Sequence, residues 1–518
     1  MADYILEKLA VSVRKAPRNA DGNLLPVIAG KLGVSPENLE YRILGKSIDS
    51  RRSEPVFIYR LAVSSEKPLP LPELTPEQMA ALEKAELPLP EKVTLRNPVV
   101  VGTGPAGIFG ALALAMAGCD PIVIDRGFPV DHRRQEWEKF LKSRVLDTEN
   151  NLLIGEGGAG AFSDGKLYTG TKDVNRRFIL QEMIEAGAPE EIAYLSRPHV
   201  GSDKLPLISI NLRRKIEALG GKFLFGKEVT DIAVENGRCT GVYCGNELIS
   251  APAVLFAPGL GGRELVRRIL PKVAFSMKPF QMGCRIEHPQ ALIDRCQYHI
   301  AHRPAALGAA EYHLVSRPGD ALNVSSFCMC PGGTVVNATA WEKHSISNGM
   351  SNYARDGEFA NSCLIATLGA DYFRSPEEAY GLIERMERSL FEAGGGDYTM
   401  IGQDAAAFLG GRMGLKNNRT SCEVGIVPGR VDHLLVSELQ SALRAALKFF
   451  DRKCPNFIRD GKFIGVESCV SAPVRLERNE RNESSLAGLY PAGEGVGAAG
   501  GILSGAADGI RCALSMLQ

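Results

Sequence analysis

Three valines, Val99 to Val101, run straight into Gly102-Thr-Gly104-Pro105-Ala106-Gly107. Glycines at this spacing let a peptide backbone receive a pyrophosphate. Gly102 permits a tight turn, Gly104 removes the Cβ that would block the phosphates, and Gly107 lets a helix pack closely on the preceding strand. An Ala/Leu-rich stretch follows through Ala117, and its N-terminus would present unpaired N–H groups and the positive end of a helix dipole. A second apolar strand, Pro121–Ile124, ends at Asp125, 23 residues after Gly102. The Asp125 carboxylate can accept hydrogen bonds from ribose hydroxyls and would repel a 2′-phosphate. Strand, turn, helix, second strand and terminal acid together predict a dinucleotide site, with Pro105, Ala106 and Arg126 at its edges.

Three later segments bear on which dinucleotide. Glu156-Gly157-Gly158-Ala159-Gly160-Ala-Phe162-Ser-Asp-Gly-Lys166 is a backbone with few side chains that can lie against a flat ligand. Lys227 to Val234, with Val229 inside it, reads as a strand; Asn236-Gly237 turns the chain into a return strand, and Val254-Leu-Phe-Ala-Pro258-Gly259 is a further buried strand ending in glycine. Near the C-terminus, Tyr490-Pro-Ala-Gly493-Glu494 precedes Gly500-Gly501-Ile502 and an Ala-rich helix. This order resembles the FAD domain of one-Rossmann flavoproteins of the glutathione-reductase superfamily. The resemblance implies FAD as cofactor, Glu494 on the ribityl chain, and a helix near Gly500 aimed at the flavin edge. There its dipole would favour negative charge on the reduced ring.

The chain is also similar to the bacterial family of FAD-dependent dehydrogenases of unassigned substrate. The more specific stretches are Gly155–Lys166, Phe327-Cys-Met-Cys-Pro-Gly-Gly333, Asn348–Gly357 and Val466–Arg475. The likeness covers most of the chain, including its N-terminal module, and implies a cofactor and a reaction class but no substrate. Asp125 stands where many FAD folds carry Glu, and Cys469 where relatives are expected to carry Arg.

Catalytic candidates are few. Cys328 and Cys330 are two apart, so on a regular strand they share a face with Cα atoms roughly 6.6 Å apart, and a disulfide would need distortion. Core packing, a wall facing flavin or substrate, and a redox pair all stay open for them. Arg475 could hold an anionic substrate or the flavin, or pair with Glu467 or Glu477. Lys166 could face phosphate or the flavin N1, or solvent. Cys239 and Cys244 sit five apart in a strand-like stretch and face opposite ways, which argues against a disulfide. No His or Cys spacing suits a metal, and His288, His299 and His302 are read as ordinary.

The elements that must position these groups form an α/β chain. A small α+β module with a β-α-β-β pattern spans 1–66, and its turn Lys46–Arg52 is either solvated or a docking surface for a protein partner. A Pro-rich linker covers 67–97, where Thr75 would cap a helix running to Ala85. A Rossmann-like FAD/NAD(P)-binding domain occupies 98–270 and resumes at 463–518. Between them, 271–462 is an inserted, mostly antiparallel sheet domain for substrate, with strands at Gln281–Glu287, Glu311–Val315 and Val324–Cys330. Helices follow there at Pro376–Ala393, Gly402–Leu409 and Glu438–Asp451.

Sixty basic and sixty acidic residues among 518 leave no net charge, which disfavours a nucleic-acid partner. Asn97–Cys119 is uncharged but broken by Gly and Pro, so no membrane span is expected. With no signal-like N-terminus and twelve cysteines expected to be mostly reduced, a cytoplasmic protein is anticipated. The leading expectation is an FAD-dependent oxidoreductase moving a hydride between flavin N5 and a small-molecule substrate. NAD(P)H or another electron donor would visit only transiently, because no second dinucleotide fingerprint is present. Alternatives are a monooxygenase of the aromatic-hydroxylase type and an FAD-stabilised binding or regulatory protein.

Overall fold

The structure is a computed structural model. It describes residues 2–13, 23–51, 54–80, 82–168, 173–317, 319 and 322–518. The N-terminal module is β1 (Ala2–Ser12), α1 (Leu25–Leu32), β2 (Leu39–Asp49) and β3 (Val56–Ser65), an antiparallel sheet in the order β1–β3–β2. Alternate residues of the central β3 (Phe57, Tyr59, Leu61 and Val63) are buried in the core cluster that includes Ile28 of α1. Lys46 lies in β2, not in an exposed turn, because the strand continues to Asp49. Its N–H donates to the Tyr194 carbonyl and its own carbonyl accepts from Ser196, both at 2.9 Å, so this edge is joined to the main body. Arg51 is exposed and pairs with Asp49; Arg52 falls outside the described residues.

The linker is tied down as well. Ile5 donates to the Pro72 carbonyl and Leu74 to that of Asp3, so the segment follows the free edge of β1. Its helix, α2 (Pro76–Ala80), is shorter than expected. Thr75 does cap it, accepting from the Gln78 N–H at 3.2 Å, but the helix buries no residue and has no packing to extend it.

The main body begins with β4 (Val99–Val101), α3 (Pro105–Met116), β5 (Ile122–Ile124), α4 (Val130–Ser143), α5 (Arg176–Glu185), α6 (Leu205–Ala218) and β6 (Lys222–Leu224). Then come β7 (Asp231–Glu235), β8 (Arg238–Cys244), β9 (Glu247–Ser250), β10 (Val254–Phe256), α7 (Arg263–Ile269), β11 (Phe275–Met277), β12 (Phe280–Pro289) and α8 (Gln290–Tyr298). The next elements are β13 (Val315–Ser316), β14 (Val324–Cys330), β15 (Thr334–Asn337), β16 (Ser347–Met350), β17 (Phe359–Leu368), α9 (Pro376–Ala393), β18 (Met400–Asp404), α10 (Ala405–Leu409) and β19 (Ile426–Pro428). The chain closes with α11 (Ser437–Lys453), α12 (Phe457–Asp460), β20 (Lys462–Glu467), β21 (Val474–Leu476), β22 (Leu489–Pro491) and α13 (Ile502–Met516).

Two large sheets organise these elements. One is parallel, in the order β22–β10–β4–β5–β6. Both of its faces are covered, which explains the unbroken apolar strands: Val99 and Val101 join one core cluster while Val100 joins the other, beneath α3 and α13. The other has the order β13–β14–β17–β12–β20–β18–β19 and is antiparallel except for β18 beside β19. Its centre is the ten-residue pairing of β12 with β17. In α11, Leu439, Ala442, Leu443, Ala446, Leu447 and Phe450 repeat at helical spacing and are buried.

Three sequence expectations shift. Of Glu311–Val315 only the end becomes strand; Leu314 donates instead to the Ser326 hydroxyl at 2.8 Å. Gly402 belongs to β18, and α10 starts only at Ala405. The apolar run of β20 sits between β12 and β18, so the chain leaves the seven-stranded sheet after Glu467, not at 463. A short buried run reads alike as strand in either sheet or as helix. Cys296 and Cys454 form a disulfide with Cα atoms 5.3 Å apart, contrary to reduced thiols there; the other ten cysteines are free. No helix among the described residues is long and apolar enough to cross a membrane.

His288, on β12, is fully buried; it donates to the Phe457 carbonyl at 2.9 Å, and burial pushes its imidazole down to about 4 from 6.5. As pH falls from about 6.5 to about 4, the unfolded chain gains a proton that the folded chain refuses, so stability is lost over that window, by about 3 kcal/mol in full. Urea unfolding of His288→Gln at pH 7 and pH 4 should show a loss on acidification smaller by roughly that amount. An unchanged loss would refute this role.

Candidate functional site

The first glycine turn is shaped by its own backbone. Gly102 has φ +91°, and a Cβ there would lie 2.3 Å from the Ala257 carbonyl oxygen; one on Gly107 would lie 1.9 Å from that of Gly102. Those two positions exclude any side chain. Gly104 differs: a Cβ there meets no atom within 4 Å, because it projects into open space ahead of α3. Asp125 is more committed than its spacing suggested. One oxygen accepts from the Thr103 N–H at 3.0 Å and hydroxyl at 2.5 Å, the other from the Gly127 N–H at 2.9 Å. The oxygen facing Gly127 retains capacity for a further donor.

The second glycine loop packs on the first. Gly157 donates to the Thr103 carbonyl at 3.1 Å, and a Cβ on Gly158 would lie 3.2 Å from the Gly104 Cα. Arg133 of α4, which sequence reasoning missed, holds this loop from behind. Its guanidinium donates to the carbonyls of Asn151, Gly155, Glu156 and Gly158 and is fully buried; burial pushes it down to about 10. Glu156 accepts from the Val130 N–H at the start of α4 and from Arg213.

The C-terminal segment completes the enclosure. The Gly493 N–H donates to Asp508 at 2.9 Å, and Gly501, at φ +80°, precedes α13 with open space where a Cβ would go. Glu494 accepts from the Ala472 N–H at 3.2 Å and lies 3.5 Å from the Lys278 ammonium; burial raises its carboxyl. The Arg126 Nε is buried without a hydrogen-bond partner among the described residues, its nearest carboxylate, Glu149, being 3.6 Å away.

These segments line one cavity of about 850 Å³. Its wall brings together Gly102, Gly104, Pro105, Ala106, Asp125, Arg126, Gly158, Ala159, Gly160, Phe162, Lys166, Val229, Pro258, Gly259, Gly493, Glu494, Gly500, Gly501 and Ile502. Gly107 and Gly157 lie behind the wall as packing residues. The unfilled direction at Gly104, the unpartnered Arg126 nitrogen and the α13 N-terminus fit a long polyanionic ligand with a planar end.

The wall also carries polar groups, Asp164, Lys166, Cys328, Asn348, Glu467 and Cys469, among apolar ones such as Met329, Val336 and Ile346. Lys166 binds Asp164 at 2.9 Å and the Met329 carbonyl, rather than standing free for phosphate. Burial pushes the Asp164 carboxyl up, but Lys166 and Arg355 outweigh it and hold it well below the usual range. Glu467 pairs with Arg285, not with Arg475, and burial raises it to about 7 against the pull of that guanidinium. Arg285 also binds Asn361 and Asn348, at 2.7 and 3.3 Å. Arg475 is exposed on β21, donates to the Gly497 carbonyl and lies off the cavity wall, while Glu477 accepts from Ser276.

Cys328 and Cys330 do not share a strand face. Pairing of β14 with β17 shifts between Phe327 and Cys330, and Cys328 takes φ +45°, a left-handed conformation costing a non-glycine residue about 1–3 kcal/mol. Cys328 lines the cavity; Cys330 lies behind it and its thiol donates to the Cys328 carbonyl at 3.3 Å. The adjoining Cys330 thiol, with Lys166 and Arg285, holds the Cys328 thiol well below its ordinary value against burial, and the Cys330 thiol is pushed up in turn. Burial raises Cys469 to about 12. Among the described residues no cluster of His, Cys, Asp and Glu could hold a metal ion.

A Clostridium beijerinckii protein described as "Uncharacterized protein" is 39% identical over 507 residues, 95% of each chain. The chain belongs to one family with that protein. Residues 279–470 of this family member match the model described as FAD-dependent protein, C-terminal domain-like. Its cofactor is FAD, and the cavity residues fit that group. Likeness to solved structures is remote. The structure of CtdE in complex with FAD is 12% identical with a TM-score of 0.34, covering 82% of this chain and 84% of that one. A 3-ketosteroid-delta4-(5alpha)-dehydrogenase from Rhodococcus jostii RHA1 is 13% identical with a TM-score of 0.35, covering 83% and 98%.

Proposed function

We propose that this chain is an FAD-dependent oxidoreductase acting on a small molecule bound at the polar end of its cavity. One observation carries the reading: a single cavity of about 850 Å³ runs from a phosphate-receiving turn to buried ionisable groups. FAD supplies N5, which takes up or gives back a hydride. Gly104 and the first turn of α3 would hold the pyrophosphate through backbone N–H groups, with Gly158 packed against Gly104. Asp125 and Arg126 would bind the adenosine ribose, with Val229 and Pro258 against the adenine. Glu494 would accept from ribityl hydroxyls, and the α13 N-terminus would favour negative charge at the flavin edge.

At the polar end, Glu467 is poised to hold or release a proton near neutral pH. Asp164 and Lys166 position each other, and Arg355 donates to Asp164 at 2.9 Å from the far side, so the lysine keeps its charge and its place. An electron donor or acceptor, nicotinamide included, would visit this end transiently.

The purified protein should be yellow, hold FAD, and bleach on anaerobic photoreduction. Mixing with air should restore the colour slowly, and a suitable organic acceptor should restore it fast. Rapid, substrate-stimulated reoxidation by air would favour the monooxygenase reading instead. Colourless protein that takes up no added FAD would sink both.

A further inference from the structure

The bulge in β14 does something a regular strand could not. At full extension, residues two apart keep their Cα atoms roughly 6.6 Å apart, too long for an easy disulfide. Here the pairing breaks between Phe327 and Cys330 and Cys328 turns to φ +45°. The break folds Cys330 back so that its thiol donates to the Cys328 carbonyl oxygen at 3.3 Å, next to the Cys328 thiol. The following turn is fixed too: Gly332 has φ +51°, and a Cβ on it would lie 2.1 Å from the Arg355 carbonyl oxygen.

The two sulfurs are placed unequally. Cys328 is on the cavity wall and Cys330 behind it. Two cations flank the pair: half-buried Lys166 binds the Met329 carbonyl between the cysteines, and buried Arg285 lies 3.4 Å from the Cys328 carbonyl oxygen. Positive charge on both sides favours a thiolate at Cys328, with Cys330 as its protonated neighbour. Burial pushes up the thiols of Cys284 and Cys363 in the same sheet, and at Cys363 the Glu467 carboxylate outweighs Arg285.

We propose that Cys328 and Cys330 are a second two-electron centre that exchanges an electron pair with FAD. This rests on the flavoprotein reading above. In the oxidising direction a bond forms between the two sulfurs and the S–H bond of Cys330 breaks. The dithiol loses two electrons and one proton; both electrons and that proton pass to FAD, leaving it reduced and singly protonated. The reverse direction reduces the disulfide and returns the proton to Cys330, so no further reactant is needed. Cys328, at the cavity wall, is the sulfur that an external thiol or disulfide would meet.

The test is an anaerobic dithionite titration of air-oxidised holoprotein, wild type and Cys330→Ser, followed by absorbance. The Cys296–Cys454 disulfide is present in both and cancels. Wild type should consume two more electrons per flavin than the variant. After the first two electrons it should show broad absorbance beyond the flavin envelope, from thiolate against oxidised flavin. Equal consumption overturns the proposal while leaving a flavoprotein; absence of bound FAD overturns both readings. If Cys330→Ser fails to fold, the wild-type absorbance decides alone: its presence supports the dithiol centre and its absence overturns it.

Discussion

Gly104→Val yields a folded protein that binds FAD at least about 100-fold more weakly, equivalent to about 2.7 kcal/mol. Gly104 has φ −67° and ψ 179°, an extended conformation open to any residue. A Cβ added there meets no protein atom within 4 Å. The folded chain therefore pays nothing for the side chain, and the isopropyl group fills the space ahead of α3 where the pyrophosphate would lie. Gly107→Ala must behave differently. Its Cβ falls 1.9 Å from the Gly102 carbonyl oxygen, so strand β4 and helix α3 have to separate, and stability drops by roughly 1–3 kcal/mol or more. Thermal melting of the apoproteins and fluorescence titration with FAD distinguish the two. A Gly104→Val protein with wild-type FAD affinity would remove the phosphate role from this turn.

The contrast shows what sequence could convey. The turn from Val99 to Asp125 was legible because its chemistry is local: a strand, three glycines, a helix and an acid, all within one supersecondary unit. Helices α9 and α11 were legible for a similar reason, since their buried residues repeat at helical spacing. What escaped notice depends on contacts between distant segments. The Arg285–Glu467 pair joins β12 to β20 across 182 residues, and Arg355 reaches Asp164 across 191. No spacing announces such pairs, so sequence offers Glu467 only as one of several partners for Arg475, by nearness along the chain. The Cys328–Cys330 geometry failed for a subtler reason. Alternation holds only while the ladder is regular, and one bulge cancels it. Likewise the spacing offers Asp125 to ribose hydroxyls, while the hydrogen bonds it takes from Thr103 appear only once the turn is folded.

Arg133 carries the remaining large effect. Its guanidinium touches no carboxylate among the described residues; it is held by main-chain carbonyls at Asn151, Gly155, Glu156 and Gly158. Those four acceptors belong to one loop that has little side chain of its own to define its shape. A fork of five donors can satisfy acceptors lying in several directions at once, whereas an ammonium presents three donors from a point. Arg133→Lys should therefore lose most of the arrangement despite keeping the charge. Arg133→Met, which leaves several buried carbonyls unpaired, should cost about 3 kcal/mol or more. Because Gly157 and Gly158 are tied to Thr103 and Gly104, a loosened second loop also loosens the first. FAD affinity should then fall by roughly tenfold or more even under conditions where the Lys variant remains folded, a loss of about 1.4 kcal/mol. Urea unfolding with and without FAD, set beside an FAD titration, separates the two losses. An Arg133→Lys protein matching wild type in both would show that the loop keeps its shape without the fork and that the buried guanidinium is incidental to the site.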